Sequence, residues 1–406
     1  MQSTLKRLRF ILPASGSNLL TAIKRRTPLG WLQLKRDRTR LLTAIAGIAF
    51  ADILIFMQLG FMDALFKSNT QYPRKLLADI VLISTEADSL NNLRTFPRRR
   101  LYQALDVPGV ETADALYIGS VDWRNPITRD KSSMTIFGLN PEQPVFDLPE
   151  MNRQLDRVKL PDTVLFDRAS RGDYEELIAE LDRGQRVDTE IGRRTISIDG
   201  LFEVGASFAD DGALIASDTT FMHLFPRRDV ATVSLGLLEL EPGADVEQVR
   251  VALDAHLPDD VQVFTNQGYV DYELNYLKTS SAISFVFTLG SAMGFIVGVV
   301  IVYQVLSTDV NDHLAEYATF KAMGYRSQYL LGVVFEEAVI LSLFGFIPGV
   351  SIALGLYSLT ASATALPLVM PLSRAATVLT LTIVMCGLSG AIATRKLQSA
   401  DPADIF

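Results

Sequence analysis

Cysteine and histidine are nearly missing from this chain, and so are the short motifs that carry most enzyme chemistry. One cysteine, Cys386, and three histidines, His223, His256 and His313, occur among 406 residues. The cysteine falls inside an apolar run, so the polar part of the chain has no disulfide and must hold together by packing. Cys386 itself reads as a small packing residue. The histidines lie far apart without cysteine neighbours, which argues against a zinc site. There is no G-x-x-x-x-G-K-[ST] to cradle nucleotide phosphates and no H-E-x-x-H. Gly387-Leu388-Ser389-Gly390 lacks the spacing of a nucleophile elbow. The acidic pairs Asp210-Asp211 and Asp259-Asp260 read as solvated loops. Nothing argues for catalysis, and no metal or cofactor is expected in this chain. Any work it does must draw on energy supplied by another subunit.

Long apolar runs, in contrast, are plentiful. They cover residues 41–62, 282–306, 330–357 and 375–394, in a chain that is 49% hydrophobic with a mean hydropathy of +0.22. Each can cross a ~30 Å hydrocarbon core at a rise of about 1.5 Å per residue. Their spacing is lopsided, with one large polar segment after the first run and the other three close together. That layout suggests a protein that moves force or information across the bilayer. The first run has too long a basic segment before it for a signal peptide and reads as a retained anchor.

Charge sets the sides. Residues 1–40 carry ten Lys/Arg and one Asp, whereas 67–280 carry 23 Lys/Arg and 36 Asp/Glu. By the positive-inside rule the start is cytoplasmic, and four spans return the C-terminus to the same side. Lys321, Arg326, Arg395 and Lys396 agree with that count, and Arg374 is the only Lys/Arg in the third connection. The expected fold is a membrane protein of four transmembrane α-helices with a large α+β periplasmic domain inserted between helices 1 and 2. Its parts are a cytoplasmic region at 1–40, span 41–66, periplasmic domain 67–280, and span 281–306. A cytoplasmic coupling helix at 307–328, span 329–358, short loop 359–374, span 375–394 and cytoplasmic tail 395–406 follow. Pro28 to Leu34, bracketed by basic residues, read as an interfacial helix on the inner leaflet; the alternative is a charged flank that only sets topology.

Within 67–280, strands are expected at 80–84, 115–120, 134–137, 163–166, 195–198, 213–215, 233–240 and 261–264, and helices at 174–182, 219–225 and 245–256. Val246, Val249 and Leu253 make a stripe that suits packing on a sheet. Pro141, Pro144 and Pro149 suggest a boundary between two subdomains. Tyr269, Tyr272 and Tyr276 recur at helical spacing and read as an aromatic belt at the outer interface.

Inside the apolar runs, Gly290, Gly294 and Gly298 share one helical face. With Gly345 and Gly349, they are expected to let helices approach closely, within the chain or at a dimer seam. Asp52 and Gln58 are polar groups at membrane depth, either functional or bonded to a neighbouring helix. Glu336 and Glu337 read as lying at the membrane edge, beside the cytoplasmic helix. That helix opens on Asp309, Asp312 and His313, continues through Leu314, Glu316 and Tyr317, and reaches Lys321, Met323 and the stop at Gly324. It reads as either an idle connector or a plug for a cytoplasmic motor.

Glu316, Lys321, Ala322, Met323 and Gly324 resemble the cytoplasmic loop of the MacB/FtsX-type ABC permeases, and the order of spans and Asp401-Pro402-Ala403 fit the same pattern. Closer still is the resemblance to the cyanobacterial DevC group, carried by the stretches 28–34, 49–54, 144–149, 165–170 and 401–406. The resemblance implies a permease subunit without its own ATPase, paired as a homodimer in the inner membrane. ATP and Mg would be bound by a separate ABC ATPase subunit acting on Asp309, Asp312, His313, Leu314, Glu316, Tyr317, Lys321, Met323 and Gly324. The outer domain would meet a membrane-fusion adaptor leading to a TolC-like outer-membrane channel. Partners are then these proteins and the lipid bilayer, with no nucleic acid. The cargo would be a lipid, glycolipid or other envelope substrate. An alternative is an FtsX-like regulator of a periplasmic cell-wall hydrolase.

Overall fold

The computed structural model describes residues 38–90, 92–316, 319, 323 and 327–394. The interfacial helix expected at 28–34, the tail with Asp401-Pro402-Ala403, and Tyr317, Lys321 and Gly324 lie outside the described residues.

Helix α1 (Arg38–Thr70) is followed by β1 (Ile80–Ser84), β2 (Phe96–Pro97), α2 (Arg99–Ala104), β3 (Val110–Arg124) and β4 (Lys131–Leu139). Next come α3 (Pro149–Asn152), β5 (Thr163–Asp167), α4 (Glu175–Asp182), β6 (Val187–Ile191), β7 (Arg194–Phe202) and β8 (Gly212–Ser217). Then follow α5 (Asp218–Leu224), β9 (Thr232–Val233), β10 (Leu235–Leu240), α6 (Val246–His256), β11 (Val261–Thr265) and α7 (Asn266–Thr279). The chain finishes with α8 (Ala282–Asp312), α9 (Ser327–Thr364) and α10 (Leu372–Ala393). By length and composition α1, α8, α9 and α10 can each cross a membrane.

Two compact units result. One comprises the described residues of 38–52, 294–350 and 376–394, and the other those of 53–293 and 351–375.

The α/β part of the second unit is built around β3. The first half of this long strand pairs with β10, up to Leu116 opposite Leu235, and the second half pairs with β4, from Tyr117 opposite Gly138. One sheet is therefore β11-β1-β10-β3, antiparallel throughout. The other runs β3-β4-β8-β5-β7-β6 and returns to β3 through Trp123 opposite Ile191, closing a ring of six strands. The two subdomains thus meet along β3, and not at the prolines of 141–149.

Local chemistry explains the pieces. All five residues of β1, Ile-Val-Leu-Ile-Ser, are buried, as a strand covered on both faces requires. Leu101 of α2 and Val249 and Leu253 of α6 join Ile80, Leu82 and Leu238 in one core, while Tyr269 of α7 joins Val81, Ile83 and Leu237 in the other. Asp245 starts α6 by accepting the N–H groups of Glu247 and Gln248 at 3.0 and 3.1 Å, a side-chain N-cap. Thr265 starts α7 likewise, accepting from Gly268 at 3.0 Å.

Two of the three tyrosines expected in an interfacial belt, Tyr269 and Tyr272, are taken up by the α/β part. Tyr269 is wholly buried, and Tyr272 donates to the Ala87 carbonyl at 2.7 Å. Their spacing reflects one face of a helix packed on β1, and α7 ends before α8 begins.

Candidate functional site

In the first unit, charged and polar side chains meet where apolar helices leave little alternative. The backbone N–H groups within a helix are already bonded to its own carbonyls, so a carboxylate there must find a side chain. Ala44, Ile48 and Ala51 of α1 pack with Val302 and Leu306 of α8, Ala338 and Leu341 of α9, and Met385 and Cys386 of α10. The polar groups sit around this core.

The most charged constellation forms at the first turn of α1 and the last turn of α8. Asp309 accepts from Arg40 at 2.9 Å, and Asp312 accepts from the other terminal nitrogen of the same guanidinium. Positions 309 and 312 are three apart on one helix, so both carboxylates face the same way. His313 Nδ1 lies 3.0 Å from the Asp309 carbonyl oxygen and 3.6 Å from its Oδ1. Glu337 of α9 is completely buried and lies within the fields of Asp309 and Arg40. Neither Glu337 oxygen, nor Asp309 Oδ2, has a hydrogen-bond donor among the described residues. Two carboxylates therefore share one guanidinium, with the Glu337 carboxyl beside them.

Glu336 is partly buried and Glu337 completely so. Asp309 and Asp312, expected to open a separate cytoplasmic helix, belong to α8, which runs on past residue 306 to Asp312.

A second polar contact lies about 18 Å further along α1, twelve residues at 1.5 Å each. Asp52 is fully buried; its Oδ1 accepts from the Thr382 hydroxyl of α10 at 2.7 Å, and its Oδ2 has no partner among the described residues. Gly349 of α9 brings its backbone against this site: a Cβ there would lie 2.9 Å from Asp52 Cβ and 3.4 Å from Ala49 Cα. Gly345 and Gly298 act the same way. A Cβ on Gly345 would strike Ile48, one on Gly298 would strike Met385 and come within 2.9 Å of Ala51, and Gly294 is buried. These are helix contacts within the chain.

Gln58 and Gly290 belong to the second unit, where the Gln58 amide covers the glycine, 2.5 Å from the position of an added Cβ. In the same unit Arg374 pairs with Asp63 at 2.5 Å and donates to Val369 O at 2.8 Å and to the Tyr357 hydroxyl at 3.2 Å. Tyr357 in turn donates to the Phe56 carbonyl.

Of the remaining residues singled out in the sequence, Leu314 is half-buried, while Glu316 and Met323 are exposed. Sequence reasoning missed Arg40, Thr382 and Arg374. Arg40 and Arg374 were visible as charges beside apolar runs, but they counted only toward topology. Thr382 carried no signal at all.

Residues 288–402 match the family model described as FtsX-like permease C-terminal. That segment contains Asp309, Asp312, Glu337, Gly349 and Thr382, so the part of the chain that holds them is similar to FtsX-like permeases. No curated protein matches the chain. Among solved structures, the periplasmic region of MacB from Actinobacillus actinomycetemcomitans aligns at TM-score 0.34 and 7% identity, covering 51% of this chain and 96% of that one. The extracellular domain of the noncanonic ABC-type transporter YknZ from Gram-positive bacteria aligns at TM-score 0.31 and 14% identity, covering 46% and 99%. At scores this low neither structure lends this chain a fold or a function.

Proposed function

We propose that the chain is the permease subunit of an ATP-driven tripartite exporter of the mechanotransmission type, moving a lipid, glycolipid or other envelope substrate from the periplasm outward. In this reading α1, α8, α9 and α10 cross the inner membrane, both termini are cytoplasmic, and residues 67–280 are periplasmic. A separate ABC ATPase subunit binds ATP and Mg and acts on the segment 307–328. The α/β domain meets a membrane-fusion adaptor and, through it, a TolC-like channel. Two copies pair.

The observation that supports this most is the tie between Arg40 and the Asp309–Asp312 turn, with the acidic partner inside the segment similar to FtsX-like permeases. In the chain, α1 and α8 flank the α/β domain. A charged clamp joining their ends makes a push on the residues after Asp312 act on both helices together. Two helices moved as one can transmit force without opening a path between them.

The test is reconstitution with the ATPase and adaptor in nanodiscs. Arg40→Ala is expected to leave the complex assembled while adaptor-stimulated ATP hydrolysis falls toward the unstimulated rate. Full stimulation in an assembled Arg40→Ala complex would rule the clamp out as the coupling element.

A further inference from the structure

A pocket of about 430 Å³ lies beside the last turn of α1, in the α/β part of the second unit. That volume is within the range of small-molecule sites. Its walls come from Ser68 and Asn69 of α1, from β3 and β4, and from the loop that carries Asp210. Among the described residues the Asp210 carboxylate is its one charged group. Ser133 and Ser120 donate to Oδ1 at 2.7 and 3.1 Å, and Thr135 donates to Oδ2 at 2.7 Å. The loop is fixed in turn, because the Ser207 hydroxyl accepts the Asp210 N–H at 3.0 Å. Among the described residues no basic side chain lines the pocket, and the nearby Arg171 is paired with Asp211 at 3.1 Å.

Tyr72 supplies an independent observation. It is 7% exposed, held against Phe137 and Phe146 with ring centroids 4.6 and 6.2 Å away, and it lines the pocket. Its buried hydroxyl has no hydrogen-bond partner among the described residues. Burial, followed by the charges of Asp167 and Asp210, holds the phenol well above its ordinary range, so it remains an O–H donor. A buried hydroxyl left without a partner is destabilising.

The pocket thus offers a carboxylate with no cation, a phenolic O–H with no acceptor, several hydroxyls, and an apolar wall of Leu90, Leu93 and Ile118. A phosphate or carboxylate ligand would face Asp210 with nothing positive to offset it. A purely apolar ligand would leave every polar group stranded. We propose that this pocket binds a protonated amine flanked by hydroxyl or ether oxygens, the chemistry of an amino sugar or amino alcohol. The ammonium meets Asp210, an oxygen accepts from Tyr72, and the carbon skeleton lies on the leucines. The same group is available as a soluble amine or as a lipid headgroup. The assignment does not depend on the permease reading.

Calorimetric titration of the full chain in amphipol separates the parts. Glucosamine is expected to bind, and glucose, which lacks the ammonium, and cyclohexylamine, which lacks the oxygens, to bind about tenfold more weakly. Asp210→Asn should weaken glucosamine by about tenfold and Tyr72→Phe by about threefold. Neither should lower the thermal midpoint of the free protein beyond a few degrees, since one is isosteric and the other removes an unbonded hydroxyl. In nanodiscs, displacement of glucosamine by a glucosaminyl diacylglycerol identifies a headgroup as the source, and lack of displacement identifies a soluble amine. Glucosamine binding no better than glucose, or unchanged affinity in both variants, overturns the proposal.

Discussion

Buried carboxylates in the two units are satisfied in opposite ways. Asp167, in the α/β part, is fully buried and accepts the N–H groups of Ala169, Val204 and Gly205 at 3.0, 3.1 and 2.8 Å. Among the described residues Asp52, in the helical unit, has one hydroxyl, and Glu337 has no hydrogen-bond donor. The loops after β5 and β7 have free amides to aim at a carboxylate, whereas helices have already used theirs. The helical unit therefore depends on a few long-range side-chain ties, above all Arg40. Removing one such tie should disturb it more than removing one donor disturbs the α/β part.

The largest effect should come from Arg40→Ala. It removes the guanidinium bonded to Asp309 and Asp312 and leaves the buried Asp309 carboxylate uncompensated, a change that costs about 3–5 kcal/mol; a thermal midpoint in detergent reads it. Asp167→Ala should cost less, about 2–3 kcal/mol, because three amides lose an acceptor but loop backbone can turn toward water. Thr382→Val should cost about 1–2 kcal/mol by leaving Asp52 without its donor. If Thr382→Val proved worse than Arg40→Ala, the ranking of ties within the helical unit would be wrong.

A pH effect sharpens the comparison from the other side. Burial pushes Asp167 up to about 6 and Glu273 of α7 up to about 7, from ordinary values of 3.8 and 4.5. The folded chain thus binds these protons more tightly than the unfolded chain. Their stabilisation is complete below about pH 4 and is lost as pH rises through 6 and 7. The thermal midpoint should fall between pH 5 and 8, and Glu273→Gln should flatten part of that slope. A midpoint that rises over the same window would contradict the assignment.

The α/β part was largely legible in the sequence because its signals are local. Residues 80–84 form an apolar run because β1 is buried on both faces, and α6 has its cap and stripe within twelve residues of each other. β6 was missed: it alternates, but with Asp188 and Glu190 on its exposed side, it reads as a polar loop. β3 is longer than expected because its ends, Glu111 to Asp114 and Asp122 to Arg124, are partly polar. The candidate site was legible only in its acidic half. Asp309 and Asp312 lie together in the chain, but Arg40 lies 269 positions before Asp309. Nothing local distinguishes a clamp from a topological flank. Glu337 shows the same limit: nothing local in an apolar run indicates that it lies beside Asp309 and Arg40.

The most direct test of the clamp is a double-mutant cycle on stimulated ATP hydrolysis, using Arg40→Ala, Asp309→Ala and the pair in the reconstituted complex. If α1 and α8 move as one through this contact, the double variant should be no worse than the more damaged single one. Losses that simply add would mean the two residues act independently, and the helices are not coupled there.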